Sequence, residues 1–409
     1  MRLPCRLAGL LLCAALPPAA FPATGPEPFR IERATILTSA GGNYFLQSRT
    51  AVIPGQPARV ILTTQETNPR VTHGYMDVFA LETRDLGRTW SAPQRIESLR
   101  RRRQPAGHEF VIGDAYPQWH AATGRVLATG KTFGFVAGKE DRGFERVSYA
   151  VFDPNAGLWS DLRLVALPER DHAGHPFLEP NAGCHQRVDL PGGDILLPIR
   201  YRREAAHRFY TTVVARCRFD GETLTYVEHG SEFTLRRERG LYEPSVTTLG
   251  GRFFLTMRAD HSAFVARSRD GLNYEPFVEW TFDDGQVLGS YNTQQHWVTH
   301  HDALYLVYTR RGANNDHVMR HRAPLFIARV DPERLCVLRE TERVLFPEEN
   351  ADIGSGFGVT EVGPGETWVV TSEVPTRGSR DYNRVLLARL RWTTPNRLVA
   401  DGPVAPVVR

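Results

Sequence analysis

The sequence has no long apolar run except one near its start, no convincing long amphipathic helix, few cysteines and almost no excess of either charge. Each absence excludes something. Without apolar runs of about 20 residues, the chain is not a helical polytopic membrane protein. Lys and Arg total 50 against 46 Asp and Glu, a formal net charge of +4, so no global field points to nucleic acid or to an anionic membrane. Hydrophobic residues at 41% and charged residues at 23% are ordinary for a folded chain and exclude a largely disordered or collagen-like one. A preference for an acidic ligand must therefore be local.

The one apolar run, Leu7 to Leu16, follows Arg2 and Arg6 and precedes small residues at Ala19, Ala20 and Ala23. That pattern predicts a signal peptide over residues 1–23 and a secreted or periplasmic protein. The run is too short to span a bilayer, and Cys13 follows leucines rather than a small residue, so no membrane anchor is expected. Cleavage leaves Cys184, Cys217 and Cys336, an odd number with no C-x-x-C spacing. Neither a disulfide framework nor a zinc ribbon is indicated. A Cys184–Cys217 bridge and buried free thiols both remain open.

What is present is a repeated short β-rich pattern, punctuated by 35 Gly and 28 Pro. Each unit reads as a polar residue, an alternating strand, a Gly- or Asp-bearing turn, and a more apolar strand ending in a polar residue. Such units run over Arg49 to Gln65, Gln118 to Lys131, Gln186 to Arg200, Glu243 to Arg258, Gln295 to Arg310 and Phe357 to Glu373. Their starts lie roughly 50 to 70 residues apart, the length of a four-stranded propeller blade with decorated loops. The expected fold class is all-β, a six-bladed β-propeller of four-stranded antiparallel blades over residues 29–395. Closure is expected from Ile31 to Leu37 beside Val385 to Trp392. A pair of β-sandwiches is the rival architecture.

In a propeller the innermost strands line a channel, and residues at their mouths converge. The repeat phase places Arg49, Gln118, Gln186, Glu243 and Gln295 there, with Arg200, Arg258 and Arg310 ending the next strands. Arg236-Arg237-Glu238-Arg239, just ahead of Glu243, adds positive potential to the mouth. The run Arg100 to Arg103 has no interleaved aromatics and reads as a solvated loop rather than a nucleic-acid site. His300-His301-Asp302 reads as a hairpin turn, and no metal site is expected.

The segment Thr83-Arg84-Asp85-Leu86-Gly87-Arg88-Thr89-Trp90 resembles the Asp box of the sialidase superfamily, and Ser268 to Tyr274 is a decayed copy. The resemblance covers most of the chain in repeat order and marks a divergent member. It implies three arginines clamping a substrate carboxylate, since a guanidinium fork can bond both oxygens. Arg49 resembles the first, Arg258 in its spacing from Glu243 the second and Arg322 the third, with Arg310 and Arg320 competing for the last place. An acid/base Asp is implied near His73-Gly74-Tyr75-Met76-Asp77, so Asp77 is the candidate and His73 its rival. The segment resembling the nucleophilic tyrosine region, Gly356 to Thr360, carries Phe357 instead, and Tyr291 is the remaining tyrosine candidate. The resemblance implies an exo-acting glycoside hydrolase on an acidic oligosaccharide or polysaccharide, with Glu243 handling protons, Gln186 and Gln295 contacting substrate, no cofactor and a monomeric chain. The alternatives are a uronate lyase using histidines, His185 and His120 foremost, and a glycan-binding propeller without catalysis.

Overall fold

The computed structural model describes residues 27–399 except 40–41, 69–70, 72–73, 105–106, 208 and 377–378. The signal-peptide segment and His73 lie outside the described residues.

Each of the expected hairpins forms, and each opens a sheet. The first sheet runs Tyr44–Ile53, Arg59–Thr67, Tyr75–Thr83 and Gln94–Arg95. The second is built on His108–His120, Arg125–Val136 and Val147–Asp153. The third uses Leu178–Asn181, Asp194–Arg202, Tyr210–Phe219 and Leu224–His229, and the fourth Tyr242–Leu249, Arg252–Arg258, Ala263–Ser268 and Val278–Glu279. The fifth is built on His296–His300, Ala303–Tyr308 and Leu325–Asp331. These five are meanders of consecutive chain. The remaining large sheet is composite: Phe357–Gly363, Glu366–Ser372 and Arg384–Trp392 are joined by Phe29–Thr38 from the other end of the sequence.

The closure strand pairs as expected, with Ile31 opposite Leu390 and Leu37 opposite Val385. Uniform four-stranded sheets are not what forms. The second, third and fifth sheets carry extra two- to four-residue strands where the connecting loops lie back on the sheet edge and satisfy part of it, giving seven, six and five strands. Four-residue or shorter pieces such as Val188–Asp189 and Arg343–Phe346 have no apolar alternation of their own to reveal them.

Apolar residues sit between sheets rather than in one central core. Leu62, Leu81 and Trp368 join the first sheet to the composite one, and Val111 and Phe133 with Val78 join the first to the second. Leu127 with Ile195, Leu196 with Val246, Phe254 with Trp297, and Val307 with Val359 continue the series through the remaining pairs. The sheets thus follow one another in a closed, propeller-like arrangement. Full burial of one such side chain is worth about 1.5–3 kcal/mol, so the stability is distributed around the ring.

Two Asp-bearing turns close outer hairpins by one mechanism. Asp85 accepts N–H bonds from Arg88 at 3.0 Å and Thr89 at 2.9 Å, and Asp270 accepts from Leu272 at 2.9 Å and Asn273 at 2.7 Å. Gly87 takes φ +72°, and a β-carbon there would come within 3.0 Å of Trp368 and closer still to Arg389. Cys184, Cys217 and Cys336 are free and buried, which removes the Cys184–Cys217 bridge. The basic run is pinned at an edge: Arg102 pairs with Asp161 at 2.9 Å and Arg101 with Glu109 at 2.7 Å. No described helix is long and apolar enough to cross a membrane.

Candidate functional site

Four successive innermost strands share a device that re-aims side chains. Each carries a β-bulge, between Leu46 and Arg49, Gly113 and Tyr116, Leu178 and Asn181, and Tyr242 and Ser245. The first inserted residue is left-handed in every case: Gln47 at φ +59°, Asp114 at +54°, Glu179 at +48° and Glu243 at +43°. Asn292, just ahead of the fifth innermost strand, is left-handed as well at +49°. Residues with a β-carbon rarely adopt this region, and bulges of this kind concentrate beside functional sites. Glu179-Pro180 and Glu243-Pro244 repeat one dipeptide at this position, with proline placed where the ladder needs no N–H.

On the fourth and fifth sheets the bulges build an arginine cluster. Arg258, 4% exposed, forms an ion pair with Glu243 and donates a further bond to Asn292 Oδ1. Arg239 donates to the same Oδ1 at 2.8 Å and pairs with Asp260, while Arg322 donates to the Asn292 carbonyl at 3.2 Å. Arg322 also reaches Ser355 Oγ at 2.9 Å and Asp352 at 3.4 Å. The Tyr242 hydroxyl joins Asp260 at 2.6 Å, and the Arg258 guanidinium lies 4.7 Å from the centre of its ring. One asparagine thereby gathers three guanidiniums.

A fourth, Arg320, is left-handed at φ +56° and forms no hydrogen bond or ion pair among the described residues. Burial, then the nearby charges of Arg322, Arg258 and Arg239, hold its pKa below the usual arginine value. The Nε atoms of Arg258 and Arg322 are buried without a partner. Burial pushes the Glu243 carboxyl up, but the Arg258 guanidinium outweighs it and holds the pKa at about 2. Glu243 is therefore an ionised carboxylate, able to accept a proton and unsuited to donating one near neutrality. Burial pushes the Asp352 carboxyl above its ordinary value, against the pull of Arg322 and Ser355. Four guanidiniums thus face three carboxylates, an excess of positive charge that suits an anion.

Of the residues expected from sequence, Glu243, Arg258 and Arg322 come together. Tyr291 sits at the rim, its ring 4.0 Å from the Arg311 guanidinium and 5.5 Å from the His321 ring. Arg320 joins Arg322 instead of competing with it, whereas Arg310 is held by Glu342 at 2.6 Å.

Arg49 is elsewhere and fully buried. It bonds the carbonyls of Phe357 at 3.1 Å and Ala115 at 3.2 Å, Gln47 Oε1 at 2.9 Å and Cys184 Sγ at 3.2 Å, so its donors are occupied by the protein. Gln186 bonds both backbone groups of Trp297, at 2.8 and 3.0 Å, and Gln295 bonds Thr256, Ser290 and the Thr293 carbonyl. Both amides knit the channel wall, because the buried backbone and hydroxyl groups around them need partners. Asp77 lies on a third strand, accepting from the Arg101 N–H at 2.8 Å and facing Arg95 at 3.7 Å, with no bond to the cluster.

His120 and His185 are both buried away from the arginine cluster's polar contacts. His120 has both ring nitrogens bonded, to Thr123 and to the Gly193 carbonyl, each at 2.8 Å. His185 is fully buried, with Nδ1 2.7 Å from the Pro198 carbonyl, and burial pulls its pKa down to about 3. Phe357 is packed edge-on to His296 at 4.8 Å, and no tyrosine hydroxyl is bonded to Glu243 among the described residues.

Sequence reasoning missed Asn292, along with the bulge residues Asp114 and Glu179, and treated Arg320 only as a rival of Arg322. The Glu-Pro repeat was the available signal for Glu179.

No protein-family model and no curated protein matches the chain. Solved structures do. A Dyadobacter fermentans protein of unknown function superposes with a TM-score of 0.62 at 14% identity, over 89% of this chain and 99% of that one. Trypanosoma rangeli sialidase gives 0.59 at 14% identity over 88% of this chain, and the NanB sialidase of Streptococcus pneumoniae gives 0.58 at 12% over 89%. The chain spans 59% of the trypanosomal enzyme and 70% of the pneumococcal one. The fold is that of the sialidases: an all-β, propeller-like ring. At these identities the likeness concerns the fold alone.

Proposed function

We propose that this chain is an exported, monomeric, sialidase-like propeller of six blades spanning residues 29–395, which hydrolyses the terminal residue of a carboxylate-bearing glycan. It would need no cofactor. In this reading the composite sheet is the sixth blade, and Arg258, Arg320 and Arg322 bind the sugar carboxylate beside Glu243. The observation that carries it is Arg320, an unpaired guanidinium held against three others at the channel mouth. Arg320 is exposed, so its donors are open to an arriving anion, and the like charges beside it favour one. A sialidase of the same fold has been seen with sialic acid, an acidic sugar of the required kind.

A second reading, glycan binding without turnover, is supported by Phe357 in place of a tyrosine and by Asp77 bonded away from the cluster. The test is calorimetry with N-acetylneuraminic acid, glucuronate and a neutral galactoside, paired with assays of terminal-sugar release from acidic glycans. Release of an acidic sugar, lost in Arg258→Met, supports hydrolysis. Binding of acidic but not neutral sugar without release favours the second reading. An unsaturated uronate absorbing in the ultraviolet rejects hydrolysis for elimination, and absence of acidic-sugar binding overturns both readings.

A further inference from the structure

At the outer edge of the third sheet, remote in chemistry from the arginines, His172, His229 and Glu232 turn their ligating atoms toward one another, all within 4.8 Å. We infer that this trio is a binding site for a zinc-like divalent transition metal, held by two imidazoles and one carboxylate with a fourth position left to solvent. His229 ends the strand Leu224–His229 and is 5% exposed, whereas the His172 side chain is 64% exposed. One ligand is thus fixed in the wall and another faces the solvent from which an ion would arrive.

The distances suit such an ion. Zinc bonds imidazole nitrogen and carboxylate oxygen at about 2.0–2.2 Å, so a tetrahedral site needs ligand atoms about 3.3–3.5 Å apart. His229 Nε2 lies 3.0 Å from Glu232 Oε1, and His172 Nδ1 lies 3.8 Å from the same oxygen. These values bracket the required edge, and a turn of the exposed His172 ring brings its lone pair to the same point.

The supporting contacts are those of a built site. His229 Nδ1 lies 2.7 Å from the Tyr226 hydroxyl, a partner that fixes the ring and leaves Nε2 as the ligating atom. Phe177 packs against the same ring at 5.5 Å. The other Glu232 oxygen is held by Arg203, and the His172 backbone N–H donates to Oε1 at 2.7 Å, which sets the loop against the strand. The two imidazoles stack 4.0 Å apart and 10° from parallel, and because an imidazole lone pair lies in its ring plane, the exposed His172 must tilt out of the stack to share an ion with His229. Two histidines and a carboxylate match a soft-to-borderline metal better than calcium or magnesium, which take all-oxygen sets. The other histidine cluster differs: in His300 one nitrogen is bonded to Asp302 and the other to the Thr394 carbonyl at 3.0 Å.

The untagged full chain, stripped with a chelator and dialysed, is titrated with Zn²⁺ by calorimetry and with Co²⁺ as a coloured probe. One equivalent should bind, Co²⁺ should give visible bands of a four-coordinate site, and Zn²⁺ should raise the unfolding temperature. His172→Ala, a change at an exposed side chain, should weaken binding at least about tenfold, as should Glu232→Gln, while His300→Ala leaves it unchanged. No stoichiometric binding at about 100 µM metal, or binding unaffected by His172→Ala, would show the trio to be a hydrogen-bonded imidazole stack only. The site shares no residue with the arginine cluster, so its failure and that of the glycan reading are separable.

Discussion

Arg49 and Arg258 are both buried arginines on channel-side hairpins, yet the molecule uses them in opposite ways. The guanidinium of Arg49 meets only neutral acceptors, from the first, second and composite sheets and from the Cys184 loop, and these take up its donors. Arg258 meets a carboxylate and an amide and keeps Nε unbonded, beside the exposed Arg320, whose side chain has no hydrogen-bond or ion-pair partner among the described residues. A buried cation with its donors satisfied locks sheets together. A buried cation with donors left over, crowded by like charge, is poised for an anion. Residue type is the same in both places, with Arg49 on the first strand of its hairpin and Arg258 at the end of the second, and the surrounding acceptors decide the role.

The contrast predicts effects of descending size. Arg49→Met should cost upwards of about 4 kcal/mol in denaturant unfolding, because several buried acceptors lose their donor at about 1–3 kcal/mol each. A loss below about 1 kcal/mol would mean that Arg49 does not hold the sheets. Arg258→Met should cost about 3–5 kcal/mol by stranding the Glu243 carboxylate, and adding Glu243→Gln should restore much of it. Failure of the double variant to recover would place the energy outside the ion pair.

The buried hub also sets a pH dependence. His185 has a pKa of about 3 in the folded chain against the ordinary 6.5, so the unfolded chain binds its proton first as pH falls. Its contribution is fully present above about pH 6.5 and is lost at about 1.4 kcal/mol per unit below it, reaching about 2 kcal/mol at pH 5. Thermal unfolding across pH 7 to 5 reads this slope, and His185→Gln should flatten it. Arg320→Ala should be the mildest change: stability shifts by no more than about 0.5 kcal/mol, while acidic-sugar affinity falls at least about tenfold. Equal losses in binding and stability would make Arg320 another structural arginine.

Much of the ring was legible because hairpins are local. Pairs such as Glu243 to Arg258 show their strands by alternation and their turn by Gly250-Gly251, both at positive φ. The closure strand was legible too, because a ring of sheets needs one strand from the far end of the chain to cover its last edge. The site was less so. Glu243 with Arg258 stood out because one hairpin holds both. Gln186 and Gln295 were misplaced because repeat phase marks the channel wall but not which polar groups there are already bonded to one another. Asn292 gathers Arg239, Arg258 and Arg322 from segments up to 53 residues distant, and no periodicity connects them.

The sequence by itself determined the all-β class, the repeated hairpins and their order, because strand alternation and turn chemistry act over a few residues. Only the tertiary structure decided which arginine is a tie and which faces a ligand. That outcome depends on acceptors supplied by other sheets, on left-handed bulges, and on whether another cation stands close enough to deny a guanidinium its partner.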